Sequence, residues 1–553
     1  MAAKTLIDGA KWLVILGVFL LFCLARYHGV IERSFTGDEG AMIRDLRGHP
    51  GFTDYLASNG WLITHRVQAW AIYAATGAGF LTFSAVSSVF ALVSLALFFR
   101  FMVRRLRFDP LLALAVTSAV GMSIFMTYIS NWSVFMYIQS FLLGVLALFA
   151  VRGAYQRVVV EGATLSLAVM LGWAVLFGAN HPGLAILWAI GLGSLWLMHL
   201  FQKVFDADGA DGTPPLQRGL SVAFSKNAYI LYGSAVLAVL VTWIIFIQFF
   251  PHREIAEPRF GIRVHYYPYS EYVGSLAGYG QWLWENLVWH FTDVFAPMKA
   301  VAMKYPLFGT LALALSILTP VGLVYALFVG GEKRLYALWF LVLLVALILL
   351  ASVGAYAFGR RRYAIFSWAL QALFCGFALQ ALIDAAHALV KRFGQRAATL
   401  AGASVIAVSA LGLTSYANEY RGLQKSVTEK YNSKQIELLR YFENARDEAW
   451  IVDGKTARFL LTLQIELSGP SIEIRSRRPE LVSERDLTKF RKWLETHDRV
   501  NILTVTRFDG ATYAPYRSVM MDYARDEAFD PISIRNFKLE VWRRDVSEAD
   551  RTP

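Results

Sequence analysis

Long apolar runs, separated by short polar turns, dominate the chain. They recur at 12–25, 83–99, 109–128, 134–151, 163–179, 183–201, 227–250, 305–329, 335–356, 363–386 and 397–415. Each is near the length a helix needs to cross hydrocarbon, so the pattern predicts roughly eleven spans. The first run is short, but Lys11 and Arg26 bound it, and such cations snorkel to the headgroups while the bilayer thins or the helix tilts. The stretch from Trp61 to Phe80 differs, because His65, Arg66 and Gln68 stand among its aromatic and small residues. That mixture suits a helix lying in the interface.

Charge decides the parity. If 61–99 held two spans, the cluster Arg100, Arg104, Arg105, Arg107 would fall outside, followed by Arg152 with Arg157 and by Lys391, Arg392 and Arg396. One span puts all three clusters in the cytoplasm, as the positive-inside bias requires. The amino terminus is then inside and the carboxyl tail outside. The first 26 residues also fit a signal peptide; on either reading, Asp38 and Glu39 lie on the far side of the membrane.

Three irregular segments land on the outer face: 26–82, 251–303 and a tail of soluble composition from about Tyr416. Cytoplasmic loops are short, the longest being the Gly/Asp/Pro-rich connector near Asp206 to Arg218. In the tail, short apolar strands at 450–453, 471–474, 500–505 and 537–541 alternate with helical patterns at 433–446, 455–467 and 484–496. That alternation predicts a small three-layer α/β domain. No glycine-rich phosphate loop follows any of these strands. The expected organisation is a membrane domain over 1–415 with outer loops at 26–82 and 251–303, then an extracytoplasmic domain over 416–553.

Composition agrees: the 553 residues are 56% hydrophobic and only 17% charged, beyond the range of soluble domains. The net charge of +12 marks cytoplasmic loops and does not indicate nucleic-acid binding. Cys23 and Cys375 both lie inside apolar runs, which supports neither a disulfide framework nor a zinc site.

Candidate chemistry gathers on the outer face. Asp38 and Glu39 come shortly after the first span; a carboxylate there can take a proton from a hydroxyl nucleophile, or the pair can simply cap a helix over 40–46. Arg360, Arg361 and Arg362, followed by Tyr363, fall outside against the charge bias. Guanidinium groups match phosphate oxygens in pairs, so a lipid-carrier phosphate is the economical partner, with headgroup anchoring as the plainer alternative. His181, in Ala179-Asn180-His181-Pro182, closes another span and serves either as packing or in a site. In the 251–303 loop, His265 and Tyr267 are candidates for substrate contact, although such aromatics also form interfacial belts. No zinc spacing is present there, while a hard divalent cation such as magnesium or manganese could sit on Asp38 or Glu39.

An amino-terminal span, an external Gly37-Asp38-Glu39, Arg-marked cytoplasmic turns, an external Arg362-Tyr363 before a late span and an external tail domain resemble the GT-C glycosyltransferases. The nearest likeness is to bacterial relatives of the protein O-mannosyltransferases and of the aminoarabinose transferases that modify lipid A. It covers about 10–415 by architecture and only those two motifs by sequence. The resemblance implies a multi-pass enzyme of the bacterial inner membrane that moves a sugar from a polyprenyl-phosphate carrier, with inversion, to a glycan, lipid or protein acceptor on the periplasmic face. It implies Asp38 as the base, Glu39 beside it, and Arg362 with Arg361 on the carrier phosphate; His181 matches a histidine common in bacterial members. The span after Asn131 has no acidic residue, which leans towards a metal-independent reaction. Competing readings are a transporter or flippase for lipid-linked saccharides, an O-antigen ligase or polymerase, and a membrane scaffold. Against transport, the chain shows no repeat and few ionisable residues within the apolar runs.

Overall fold

A computed structural model describes residues 51–57, 63–76, 80–121, 136–205, 214–249, 275–295, 306–352, 364–391, 469–474, 482–534 and 537–544, and most of 437–457, with isolated exceptions and a few single positions besides. The chain divides into two compact units: Met1–Tyr27 with Gly51–Gly422, and His28–Pro50 with Leu423–Pro553.

The first unit is helical. Its described helices are α1 (Phe52–Ala57), α2 (Ile63–Thr76), α3 (Phe80–Arg100), α4 (Pro110–Gly121), α5 (Met136–Tyr155), α6 (Leu167–Asn180), α7 (Pro182–Phe205), α8 (Pro215–Ala223), α9 (Lys226–Phe249), α10 (Leu276–Thr292), α11 (Pro306–Val329), α12 (Gly331–Ser352) and α13 (Trp368–Lys391). Single π-helical turns extend α3 over Phe101–Arg105 and α5 over Gln156–Val160, and a 3-10 turn, Ile365–Ser367, leads into α13. Six segments are long and apolar enough to cross a membrane: Ala85–Arg105, Tyr137–Val160, Pro182–Phe205, Lys226–Ile245, Gly331–Leu350 and Ile365–Ala386. At about 1.5 Å per residue, twenty residues reach about 30 Å, the thickness of the hydrocarbon layer.

The expected eleven spans are therefore not met; six described helices qualify. Two apolar runs give shorter helices, Pro110–Gly121 and Leu167–Asn180; α11 runs over Pro306–Val329, with Leu313–Val329 as its apolar described part; and the runs at 12–25 and 397–415 lie outside the described residues. The run at 163–179 loses its first turn for a local reason. Gly162 takes a φ of 62°, a conformation cheap only for glycine, and helix resumes at Leu167 after an extended Ser166.

Outward faces identify the solvent these helices are built for. On α11, Leu313, Ile317, Val321, Val324 and Phe328 are exposed, and on α9 so are Val236, Val239, Leu240 and Trp243. These stripes recur at helical spacing, but they point away from the core, the reverse of a helix in water. Hydrocarbon covers such faces without cost.

At one end of the bundle the arginine-bearing turns converge. Arg152 Nε lies 2.7 Å from Glu332 Oε1, Arg152 also donates to the Arg105 carbonyl at 3.2 Å, and the Tyr336 hydroxyl donates to Glu332 at 2.8 Å. The ends of α3 and α5 and the start of α12 thus share a level.

The second unit carries a mixed sheet in the order β2-β1-β3-β6-β4, with β5 also on β6. Its strands are β1 (Trp450–Asp453), β2 (Ser471–Ile474), β3 (Arg499–Thr504), β4 (Tyr523–Arg525), β5 (Ile532–Ile534) and β6 (Phe537–Arg544). β1 pairs in parallel with β2 and β3, whereas β6 runs antiparallel to its neighbours. Alternation builds a core on each face. Ile451, Ile472, Val500 and Ile502 pack with Phe490 and Leu494 of α14 (Glu484–Leu494) and Tyr516 of α15 (Ala514–Val519). Trp450, Val452, Leu503 and Leu539 pack with Leu438 and Phe442 on the other side. Ser483 caps α14 by accepting the Asp486 N–H at 3.2 Å. The layered α/β reading of the tail holds; β4, β5 and α15 are elements the sequence pattern did not reveal.

Candidate functional site

Asp38, Glu39, Arg361, Arg362, Tyr363, His265 and Tyr267 lie outside the described residues. His181 is described, and it anchors a polar cluster at the end of the bundle away from the Arg152–Glu332 pair. A residue before proline is pushed out of the helical region. His181 accordingly sits extended at φ −160° and ψ 136°, ending α6, while Pro182 opens α7, where its missing N–H costs nothing.

The Gly183 N–H donates to His181 Nδ1 at 3.0 Å. An imidazole that accepts at Nδ1 is neutral and carries its proton on Nε2. Burial favours the same state, lowering the group to about 4. The ring lies 6.0 Å from that of Phe366, in the 3-10 turn that starts two residues after Tyr363.

Two glycines seat that turn. A Cβ on Gly144 would stand 2.1 Å from the Phe366 carbonyl oxygen, and one on Gly183 would stand 2.3 Å from the Phe366 ring. Absence of side chains on α5 and α7 is what lets the turn lie between them.

Ser367, next in sequence to Phe366, is joined to a second histidine: Gln371 Nε2 stands 3.0 Å from Ser367 Oγ and 3.0 Å from His290 Nε2. An amide nitrogen only donates, so His290 accepts at Nε2. Burial lowers this imidazole to about 4, and its ring stacks on Phe340 at 6.2 Å. Among the described residues neither Gln371 Oε1 nor Asn286 Oδ1 has a hydrogen-bond partner.

Further contacts tie the cluster to α2 and α5. Gln139 Nε2 donates to Asn180 Oδ1 at 2.9 Å, and Thr64 Oγ1 donates to the Ala179 carbonyl at 3.1 Å. Beside Thr64, His65 is buried and lowered to about 3, by burial first and then by Arg66. Arg66 itself is buried and donates to the Leu56 carbonyl.

The assembled groups include amides, neutral imidazoles and the hydroxyls of Thr64 and Ser367. Such groups exchange hydrogen bonds as donors and acceptors, and none of them is a carboxylate. Among the described residues no three His, Cys, Asp or Glu side chains come together as a metal ion would need.

His290, Ser367 and Gln371 were not singled out as a group from sequence. The available signal was two polar residues four apart in an otherwise apolar run, which places them on one face of a helix. The histidine that meets them lies about eighty residues earlier in the chain and carries no mark of its own. No protein-family model matches the chain, and no curated protein matches it.

Proposed function

We propose that the protein is an inverting glycosyltransferase of the GT-C kind, which moves a sugar from a polyprenyl-phosphate carrier to an acceptor hydroxyl on the extracytoplasmic face of the bacterial inner membrane. The observation that carries the proposal is the seating of Phe366 against His181. The Arg361-Arg362-Tyr363 motif runs directly into that turn, and a cluster suited to hydroxyl groups surrounds it. On this reading the amino terminus lies inside and the tail outside.

In the proposed reaction Asp38 takes the acceptor proton, and the freed oxygen attacks the anomeric carbon. The bond from that carbon to the phosphate oxygen breaks, and the electron pair leaves with the phosphate. Arg362, with Arg361, balances the charge developing there, where preorganised cations contribute most to rate. Glu39 orients Asp38 or the acceptor, and His265 and Tyr267 contact the sugar.

Turnover of a polyprenyl-phosphate-linked sugar by detergent-purified protein tests this. Asp38→Asn should cost roughly 10²–10⁴ in rate with membrane insertion intact, and Arg362→Ala should shift donor dependence more than acceptor dependence. Near-normal turnover by Asp38→Asn overturns the assignment.

A further inference from the structure

At the opposite end of the bundle lies a groove that the proposed transfer reaction does not use. It runs between the end of α3 with its π-helical turn and the second half of α5, and encloses about 780 Å³, within the range of sites that hold small ligands. Leu97, Phe99 and Phe149 line its apolar part, and Arg100, Arg104 and Arg105 its polar part.

Three observations bear on what fits there. The groove straddles the end of a membrane-crossing segment, since Ala85–Arg105 terminates at its last arginine. Its apolar wall therefore lies at acyl depth and its guanidinium groups at headgroup depth. All three arginines are exposed, and among the described residues none of them forms an ion pair, in contrast to Arg152 with Glu332. Finally, the wall is built rather than loose. The Arg105 carbonyl receives Arg152 at 3.2 Å, the Leu106 N–H closes the π turn on the Phe101 carbonyl, and the Phe101 ring meets that of Phe149 edge-on at 4.9 Å. Such π turns recur at functional positions.

We infer that this groove is a binding site for an anionic phospholipid, its phosphate held by Arg100, Arg104 and Arg105 and an acyl chain laid along Leu97, Phe99 and Phe149. Guanidinium groups pair with phosphate oxygens in bidentate fashion, and basic pockets between membrane helices on the cytoplasmic side select anionic headgroups. Charge complementarity commits the site to an anionic lipid. A zwitterionic lipid would bring its own cation to three positive groups that have no ion-pair partner among the described residues.

The test is lipid retention by the full chain purified in neutral detergent, exposed to equal amounts of phosphatidylglycerol and phosphatidylcholine and read by native mass spectrometry. Wild-type protein should retain phosphatidylglycerol over phosphatidylcholine by about tenfold or more. Arg104→Gln and Arg105→Gln, each made singly on an exposed position, should each cut that preference severalfold without lowering Tm. Arg157→Gln, an exposed arginine outside the groove, should leave it unchanged. Equal retention of the two lipids, an equal loss in Arg157→Gln, or release of the lipid by millimolar inorganic phosphate would each overturn the inference, the last by showing a site for a free anion. None of these readouts depends on sugar transfer.

Discussion

Replacing Gly144 by alanine adds one carbon at the place where α5 meets the turn before α13. The new Cβ would lie 2.1 Å from the Phe366 carbonyl oxygen, whereas ordinary contacts begin near 3.4 Å. The turn must therefore move by about 1.3 Å, the difference between those two distances. The obstacle is backbone, so no side-chain rotation relieves it, and overpacking of this kind typically costs about 1–3 kcal/mol. Displacement of Phe366 also carries Ser367 and Gln371 away from His290, and it disturbs the surface on which His181 rests. A misplacement near 1 Å at a reacting centre lowers rates by about 10²-fold.

Gly153, on the same helix, has nothing within 4 Å of its Cβ position. Gly153→Ala should thus be neutral or stabilising by about 0.5–1 kcal/mol through helix propensity. Thermal melts of both variants in detergent, together with donor turnover, form the assay. If Gly144→Ala matches wild type in Tm and turnover, the seating of Phe366 between α5 and α7 is wrong.

The same network of contacts makes two more predictions. The neutral His290 imidazole, lowered to about 4 from an ordinary 6.5, contributes stability that is complete above about pH 6.5 and lost as pH falls towards 4; melts from pH 7 to 4.5 should show this loss in wild type and less of it in His290→Gln. In the second unit, Asp453 accepts the Thr456 N–H at 2.7 Å, the Val505 N–H at 3.1 Å and the Tyr513 hydroxyl. Asp453→Ala leaves these donors buried and should cost about 3 kcal/mol, read as loss of hydrogen-exchange protection at β1 and β3 in the full chain while the helices keep theirs.

Much of the architecture comes from one-dimensional pattern. Apolar run length alone located the helices around 83–99, 134–151, 183–201, 227–250, 335–356 and 363–386, because hydrocarbon sets a minimum length that no local interaction replaces. Short apolar segments in the tail located β1, β2, β3 and β6 for a similar reason: a strand covered on both faces is apolar along most of its length. The short strands β4 and β5 escaped notice, since three residues are too few to show a period and both form only by pairing with β6.

Sequence thus determined what each segment is, through quantities counted along the chain: run length, alternation, the proline that ends α6 at His181, and the grouping of arginines. Tertiary structure decided which segments meet. That His181 lies against Phe366, that Gln371 binds His290, and that Arg100, Arg104 and Arg105 edge a groove shared with Phe149 all depend on helix packing. Contacts between residues tens to hundreds of positions apart leave no periodic trace, and the glycines that permit the closest of them look like any others until the opposing backbone is in place.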